Sequence, residues 1–205
     1  MVYDWPDEAS FMLHVNLRII LTMKGRVKKA LIFISAFFIF MIIIPILCVL
    51  LGFFIDGLFG FTKLMIGHSA IRIAISIIFL AVGGYLTIAS NLYLYRFGGG
   101  FAWGDVIEEH ETKTLVTDGP FKYTRNPMLL GYALIISAIG LLVNSLSTVL
   151  IIPLLLILGE GIWIKRVEEP RLERRFGREY LKYKREVPFL IPRIPIGIIR
   201  QNKDD

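Results

Sequence analysis

The sequence predicts an all-α protein, a polytopic transmembrane helical bundle with a cytoplasmic cap, on three observations. Of its 205 residues 55% are hydrophobic, and the mean hydropathy of +0.64 lies above that of soluble domains. Long stretches carry no charge. Lysine and arginine gather beside those stretches, the pattern that orients a membrane protein.

The first helix is the clearest. Residues 30–55 read ALIFISAFFIFMIIIPILCVLLGFFI without a charged side chain, longer than the roughly 20 residues that cross a bilayer as helix. Pro45 is expected to kink it or mark a local break, since proline lacks the backbone donor that hydrocarbon makes costly to lose. A second span is expected from about 69 to 95, with Arg72 near one end and Tyr85, Tyr93 and Tyr95 toward the other. Gly83 and Gly84 permit close helix packing there.

Residues 96–127 are polar and charged, and read as a folded segment outside the lipid. Residues 128–143 are apolar, Asn144 and Ser145 interrupt, and 146–164 are apolar again except for Glu160. That is the pattern of a helical hairpin, its first arm only just long enough to span. Glu160 faces a polar partner or lies near the interface, one turn from Lys165 and Arg166. From Lys165 onward the chain is soluble in character, with Leu172, Phe176 and Tyr180 every fourth residue as one apolar stripe on a charged helix. Such a helix lies on the membrane or caps the bundle. The organisation expected is residues 1–95 as N-terminal segment and first membrane helices, and 96–205 as a core with hairpin and C-terminal helix.

With a cytoplasmic N-terminus and four spans, 21 of the 23 lysines and arginines fall on the cytoplasmic side, leaving Lys63 and Arg72 opposite. Both termini and the 96–127 segment then share the cytoplasmic face. A fifth segment arises if residues 11–21 insert or the first span splits at Pro45.

Several classes are disfavoured. The charge of +6 is explained by membrane orientation, so nucleic acid is not the expected partner. Cys48 is the only cysteine and sits in an apolar run, which precludes an intramolecular disulfide. His14, His68 and His110 are too scattered for a metal cluster. The acidic, proline-containing start does not read as a cleavable signal. Oligomeric state leaves no mark.

One constellation carries chemistry. The segment GPFKYTRNPMLLG at 119–131 and the Glu168–Glu169 pair flank the hairpin, so both fall at the same end of the bundle. Arg125 suits an anionic group and the two glutamates suit a cation or an amine. A helix boundary beside a surface glutamate pair accounts for the same residues in structural terms.

TLVTDGPFKYTRNPMLLG at 114–131, followed by EEPRLERRFGREYLKYKREVPFLIP at 168–192, resembles the isoprenylcysteine carboxyl methyltransferase family and the related phospholipid methyltransferases. Members carry LVT-x-G-x-(Y/F), Arg-His-Pro-x-Tyr-x-Gly, a membrane hairpin, then Glu-Glu-x-x-Leu and Phe-Gly-x-Glu-Tyr-x-x-Tyr. The resemblance covers roughly residues 110–192; the first two spans share only hydrophobicity with the family. It implies S-adenosylmethionine as methyl donor and S-adenosylhomocysteine as product, bound in the cytoplasmic cap without a dinucleotide fold; no G-x-G-x-x-G occurs. Carried over, Lys113, Thr114, Leu115, Val116, Phe121, Asn126, Pro127, Met128 and Leu129 line the cofactor pocket. Glu168 meets its polar end. Arg125, Glu168 and Glu169 are the implied catalytic residues, and the acceptor is lipophilic, a prenylated cysteine or a membrane lipid.

The chain departs from the pattern at three places. Asn126 stands where the family has histidine, and Leu129 where it has tyrosine. Ile164 occupies the position of a basic residue, leaving Lys165 or Arg166 as substitutes. Asparagine donates and accepts hydrogen bonds but does not titrate near neutral pH, so a base at 126 is not expected. Carboxyl methylation needs none, because the acceptor oxygen is already ionised. The competing expectations are an amine-methylating phospholipid enzyme, a nicotinamide-dependent sterol reductase with a distantly similar core, and a small membrane packing or transport protein without catalysis.

Overall fold

The computed structural model describes residues 38–61, 69–100 and 112–193. The stretch 11–21, the start of the first span and the three histidines lie outside them. Contacts divide the chain into two units, Met1–Leu47 and Cys48–Asp205.

The described residues are helical and contain no strand. Helix α1 is Ile39–Phe59, α2 Ser69–Gly98, α3 Pro127–Val143, α4 Leu146–Phe176 and α5 Arg178–Glu186. Three of them, α1, α2 and α4, are long and apolar enough to cross a membrane. Their large side chains, including Phe54, Ile77, Ile88 and Leu158, stand exposed on the protein surface. In water so much bare apolar surface would aggregate; in lipid it is solvated. The protein is an integral membrane protein.

Helix α3 has 17 residues, about 25 Å at 1.5 Å per residue, short of the roughly 30 Å hydrocarbon core. It pays no penalty for that, because it is the most enclosed helix: Ile136 and Ala138 are fully buried.

Pro45 does not split α1. The helix runs through it, and the turn before it, Ile39–Ile43, widens to π geometry. The proline ring crowds the carbonyl four residues back, that of Met41, and the wider turn takes up the displacement.

Helices α2 and α3 pack most extensively, through glycines. A Cβ on Gly83 would lie 2.6 Å from the Gly131 carbonyl oxygen, and one on Gly131 2.7 Å from that of Gly83. The backbones therefore touch, the small-residue contact that holds helices together where lipid removes the hydrophobic drive. Ser76 and Ser90 in α2 donate to the carbonyls of Arg72 and Leu86 one turn back, which satisfies them inside the span.

The hairpin turn forms where expected. Asn144 takes φ 60°, ψ 42° to end α3, and Ser145 caps α4 by accepting from the Thr148 amide. A residue just past the uncharged run completes the cap: Asp56 of α1 accepts from Ser145 Oγ at 2.6 Å and from the Ser147 amide at 2.9 Å.

The charged C-terminal helix is not continuous. Gly177, at φ 53° and ψ −124°, separates α4 from α5, a conformation open to glycine. The break folds α5 back, so that Leu172, Phe176 and Tyr180 converge on one cluster with Val116, Phe121 and Tyr183. The stripe caps the bundle from two helices rather than one.

Candidate active site

The site is built at the α3 N-terminal end, opposite the hairpin turn. Gly119 opens it with φ 62°, where a Cβ would strike the Tyr93 ring at 2.5 Å. The 3₁₀ turn Gly119–Lys122 follows, with Pro120 and Phe121 buried. Tyr183 of α5 donates to the Phe121 carbonyl at 2.8 Å, which fixes this turn against the C-terminal helix. Pro127 then starts α3 at its first position, where its missing N–H is not needed.

Between the 3₁₀ turn and α3 lie Tyr123, Thr124, Arg125 and Asn126, and all four hold the segment after α5. The Arg125 amide donates to the Pro188 carbonyl at 2.9 Å. Thr124 Oγ1 and Asn126 Nδ2 both donate to the Phe189 carbonyl, at 3.2 and 2.9 Å. Further along, the Arg193 amide donates to the Tyr123 carbonyl at 3.1 Å. Residues 187–193 are thus a strap tied across the turn. Asn126 acts as a hydrogen-bond donor to this strap, which an amide does well and which needs no titration.

Glu169 comes from the other arm. The turn Ile164–Glu168 of α4 is a π segment, a widening that re-aims the residues beyond it and recurs at functional sites. It delivers Glu169 into the bundle with its side chain 5% exposed, 2.5 Å from Arg125 Nη1, itself 11% exposed. A buried ion pair repays its desolvation only when its remaining bonding capacity is also met. For Glu169 it is: Lys184 of α5 reaches its second oxygen at 2.6 Å and also Glu173 at 2.7 Å. For Arg125 it is not, because Nε is buried without a hydrogen-bond partner.

This network shifts the groups around it. Hydrogen bonds to Glu169 and then Glu173 hold the Lys184 ammonium above its ordinary range. Burial pushes the Tyr180 hydroxyl up, reinforced by the Glu169 charge. Burial likewise raises Tyr183. All stay protonated near neutral pH, the tyrosines neutral and the lysine charged.

The other residues singled out by sequence divide into groups. Val116 and Phe121 are buried in the cluster with Tyr180 and Tyr183, and Leu115 packs on its edge. Lys113 and Thr114 are exposed and anchored to the end of α2: the Lys113 amide donates to the Gly98 carbonyl at 2.6 Å and Thr114 Oγ1 to that of Phe97. Pro127 is buried, while Met128, Leu129 and Glu168 are half-buried. Lys165 stands 4.9 Å from the Phe189 ring centroid, with Arg125 at 5.7 Å from the same ring. It thereby brings a cation to the site from the position after Ile164. Glu160 is exposed on the span. Among the described residues no group of three metal-ligating side chains occurs.

Sequence reasoning missed Lys184, Phe189 and Asp56. Lys184 had a faint signal, since it falls four residues after Tyr180 of the apolar stripe and so shares its side of α5.

An apolar helical bundle with a buried ionic network at one end of its hairpin defines a membrane protein with a chemically equipped site. The phospholipid methyltransferase family model matches residues 71–179, more than half of the chain, and the chain belongs to that family. It is a membrane methyltransferase acting on lipophilic substrates. The match begins inside α2, so the second span belongs to the family core and is not merely hydrophobic. Comparison with curated proteins and with solved structures returns no match.

Proposed function

We propose that the chain transfers a methyl group from S-adenosylmethionine to the carboxylate of a prenylcysteine-like lipid. The observation that carries this reading is Arg125, its side chain only 11% exposed and its guanidinium fixed by Glu169 at the end of the hairpin. A guanidinium so placed recognises an oxyanion.

The residues expected at the cofactor fit it by chemistry. Lys113 and Glu168 offer opposite charges for its carboxylate and ammonium, and the half-buried Leu115, Met128 and Leu129 offer apolar surface for the adenosine. When bound, the cofactor contributes a sulfonium methyl. The chain's own work is positional: Arg125 orients the acceptor, Glu169 and Lys184 fix Arg125, and the strap held by Asn126 closes the site. Such preorganisation is worth about 7–11 kcal/mol in a well-aligned displacement. No base is required, in accord with Asn126 where the family carries histidine. The site faces the cytoplasm, on the distribution of lysine and arginine.

A second reading, methylation of a phospholipid amine, is favoured by the description of the matching family. There the nucleophile must first lose a proton. Glu168, half-buried next to Glu169 in the chain, is the carboxylate assigned to take it.

Purified protein supplied with labelled S-adenosylmethionine and membrane lipid tests both. A base-labile product is an ester and supports the carboxylate; a base-stable product supports the amine. Absence of saturable S-adenosylhomocysteine binding would refute both readings.

A further inference from the structure

A cavity of about 390 Å³ lies between the end of α5 and the strap. Four cations line it, Arg125, Lys184, Arg185 and Arg193, against a single anion, Glu186. Three chain segments contribute them, so they do not merely complement the C-terminal dipole of one helix. Lys184 and one nitrogen of Arg125 are neutralised by Glu169 and Glu173. Arg185 and Arg193 are exposed, and neither has an acidic partner among the described ion pairs. The cavity therefore keeps a positive excess even after the buried network is discounted.

Two further observations point to a ligand. Arg125 lines the cavity and its Nε is buried with no hydrogen-bond partner, which costs stability unless something accepts from it. At the rim stands Ile191, 80% exposed and the most exposed large hydrophobic residue described. Such a side chain beside guanidinium groups suits the boundary between acyl chains and head groups.

We propose that this cavity receives the oxyanion of a lipid-borne acceptor, with the Arg125 guanidinium at its floor, Arg185 and Arg193 at its mouth and Ile191 against the lipid chain. The assignment rests on the lipid-acceptor reading above and adds where the acceptor's charge is held. A carboxylate and a phosphodiester present the same chemistry, so the experiment separates them.

Full-length protein in detergent is titrated calorimetrically with dihexanoylphosphatidylethanolamine, an N-acetylated S-prenylcysteine and inorganic phosphate, alongside the R185Q/R193Q variant. One of the two lipids is expected to bind and to lose about tenfold in affinity in the variant, as for loss of a charge-assisted hydrogen bond. The lipid affected identifies the oxyanion. S-adenosylhomocysteine is the separate readout: its binding is expected unchanged in the variant, and its failure in the unsubstituted protein would strike the methyltransferase reading alone. R185K/R193K should recover part of the affinity and guards against a folding defect. Equal lipid affinity in both proteins would overturn the proposal, as would inorganic phosphate binding as tightly as either lipid.

Discussion

Arg125 and Glu169 stand 44 positions apart and meet at 2.5 Å, both almost wholly withdrawn from water. The α3–α4 hairpin makes this possible: one helix leaves Arg125 and the next returns to Glu169. Removing either partner strands a buried charge, which costs about 3–5 kcal/mol. Glu169→Gln keeps the shape and loses the charge, so its thermal unfolding in detergent should show that loss, with methyl transfer down by about a hundredfold through misplacement of Arg125. Full activity in a folded Arg125→Ala protein would show that the site lies elsewhere.

Asn126 yields a prediction of the opposite kind. Its Nδ2 donates to the Phe189 carbonyl at 2.9 Å, so Asn126→Asp sets a carboxylate against a carbonyl and should cost about 1–3 kcal/mol. Asn126→His retains an N–H and should cost less. Release of the strap is read by tryptic cleavage at Arg185 and Arg193, faster in Asn126→Asp than in Asn126→His. Equal rates would mean that the strap does not depend on this bond.

How much of this was legible depends on whether a feature leaves a period or a spacing. The spans did, through unbroken apolar runs. So did the hairpin, through Asn144 and Ser145, and the meeting of its two ends follows from topology alone. Lys184 did not stand out, because α5 carries four basic residues and the fold-back at Gly177 decides which of them turns inward. The strap was illegible, since side-chain donors reaching carbonyls 63 and 65 positions away leave no local pattern. Asp56 was passed over because it follows the uncharged run by one residue and its partners lie about ninety positions on.

Alkaline pH should weaken the cap. The folded state raises Lys184 above its ordinary 10.5 through Glu169 and Glu173, so it favours the charged lysine more than the unfolded chain does. That stability is complete below the unfolded value and disappears as pH rises through the folded one. Burial raises Tyr183 as well, and its contribution is likewise complete below 10.0 and lost above. Lys184→Met should therefore be less stable than the parent at pH 8, with the gap closing at high pH. A gap that widened with pH would contradict the ion pairs.

The α2–α3 contact can be tested with adjacent glycines. Gly83→Ala places its methyl 2.6 Å from the Gly131 carbonyl oxygen, whereas Gly84→Ala meets nothing within 4 Å. The first must push the helices apart and should cost about 1–3 kcal/mol. The second only trades glycine for a better helix former and should be neutral or stabilising. Thermal unfolding of both in the same detergent decides it, and similar losses would deny the close crossing.

At the far end of α3, Asp56 tethers α1 to the hairpin turn through Ser145 Oγ and the Ser147 amide. Asp56→Ala removes both acceptors and leaves the Ser147 amide unsatisfied, for about 1–3 kcal/mol. Asp56→Asn need not do the same. Its oxygen can take the Ser147 amide, and its amide can donate to Ser145 Oγ, whose hydroxyl then turns to Thr148 Oγ1, 2.8 Å away. The asparagine variant should therefore keep more than half of the stability that alanine loses. Since Arg125 lies a helix length away, both folded variants should keep the KM of the parent, and a raised KM in either would tie this turn to the site.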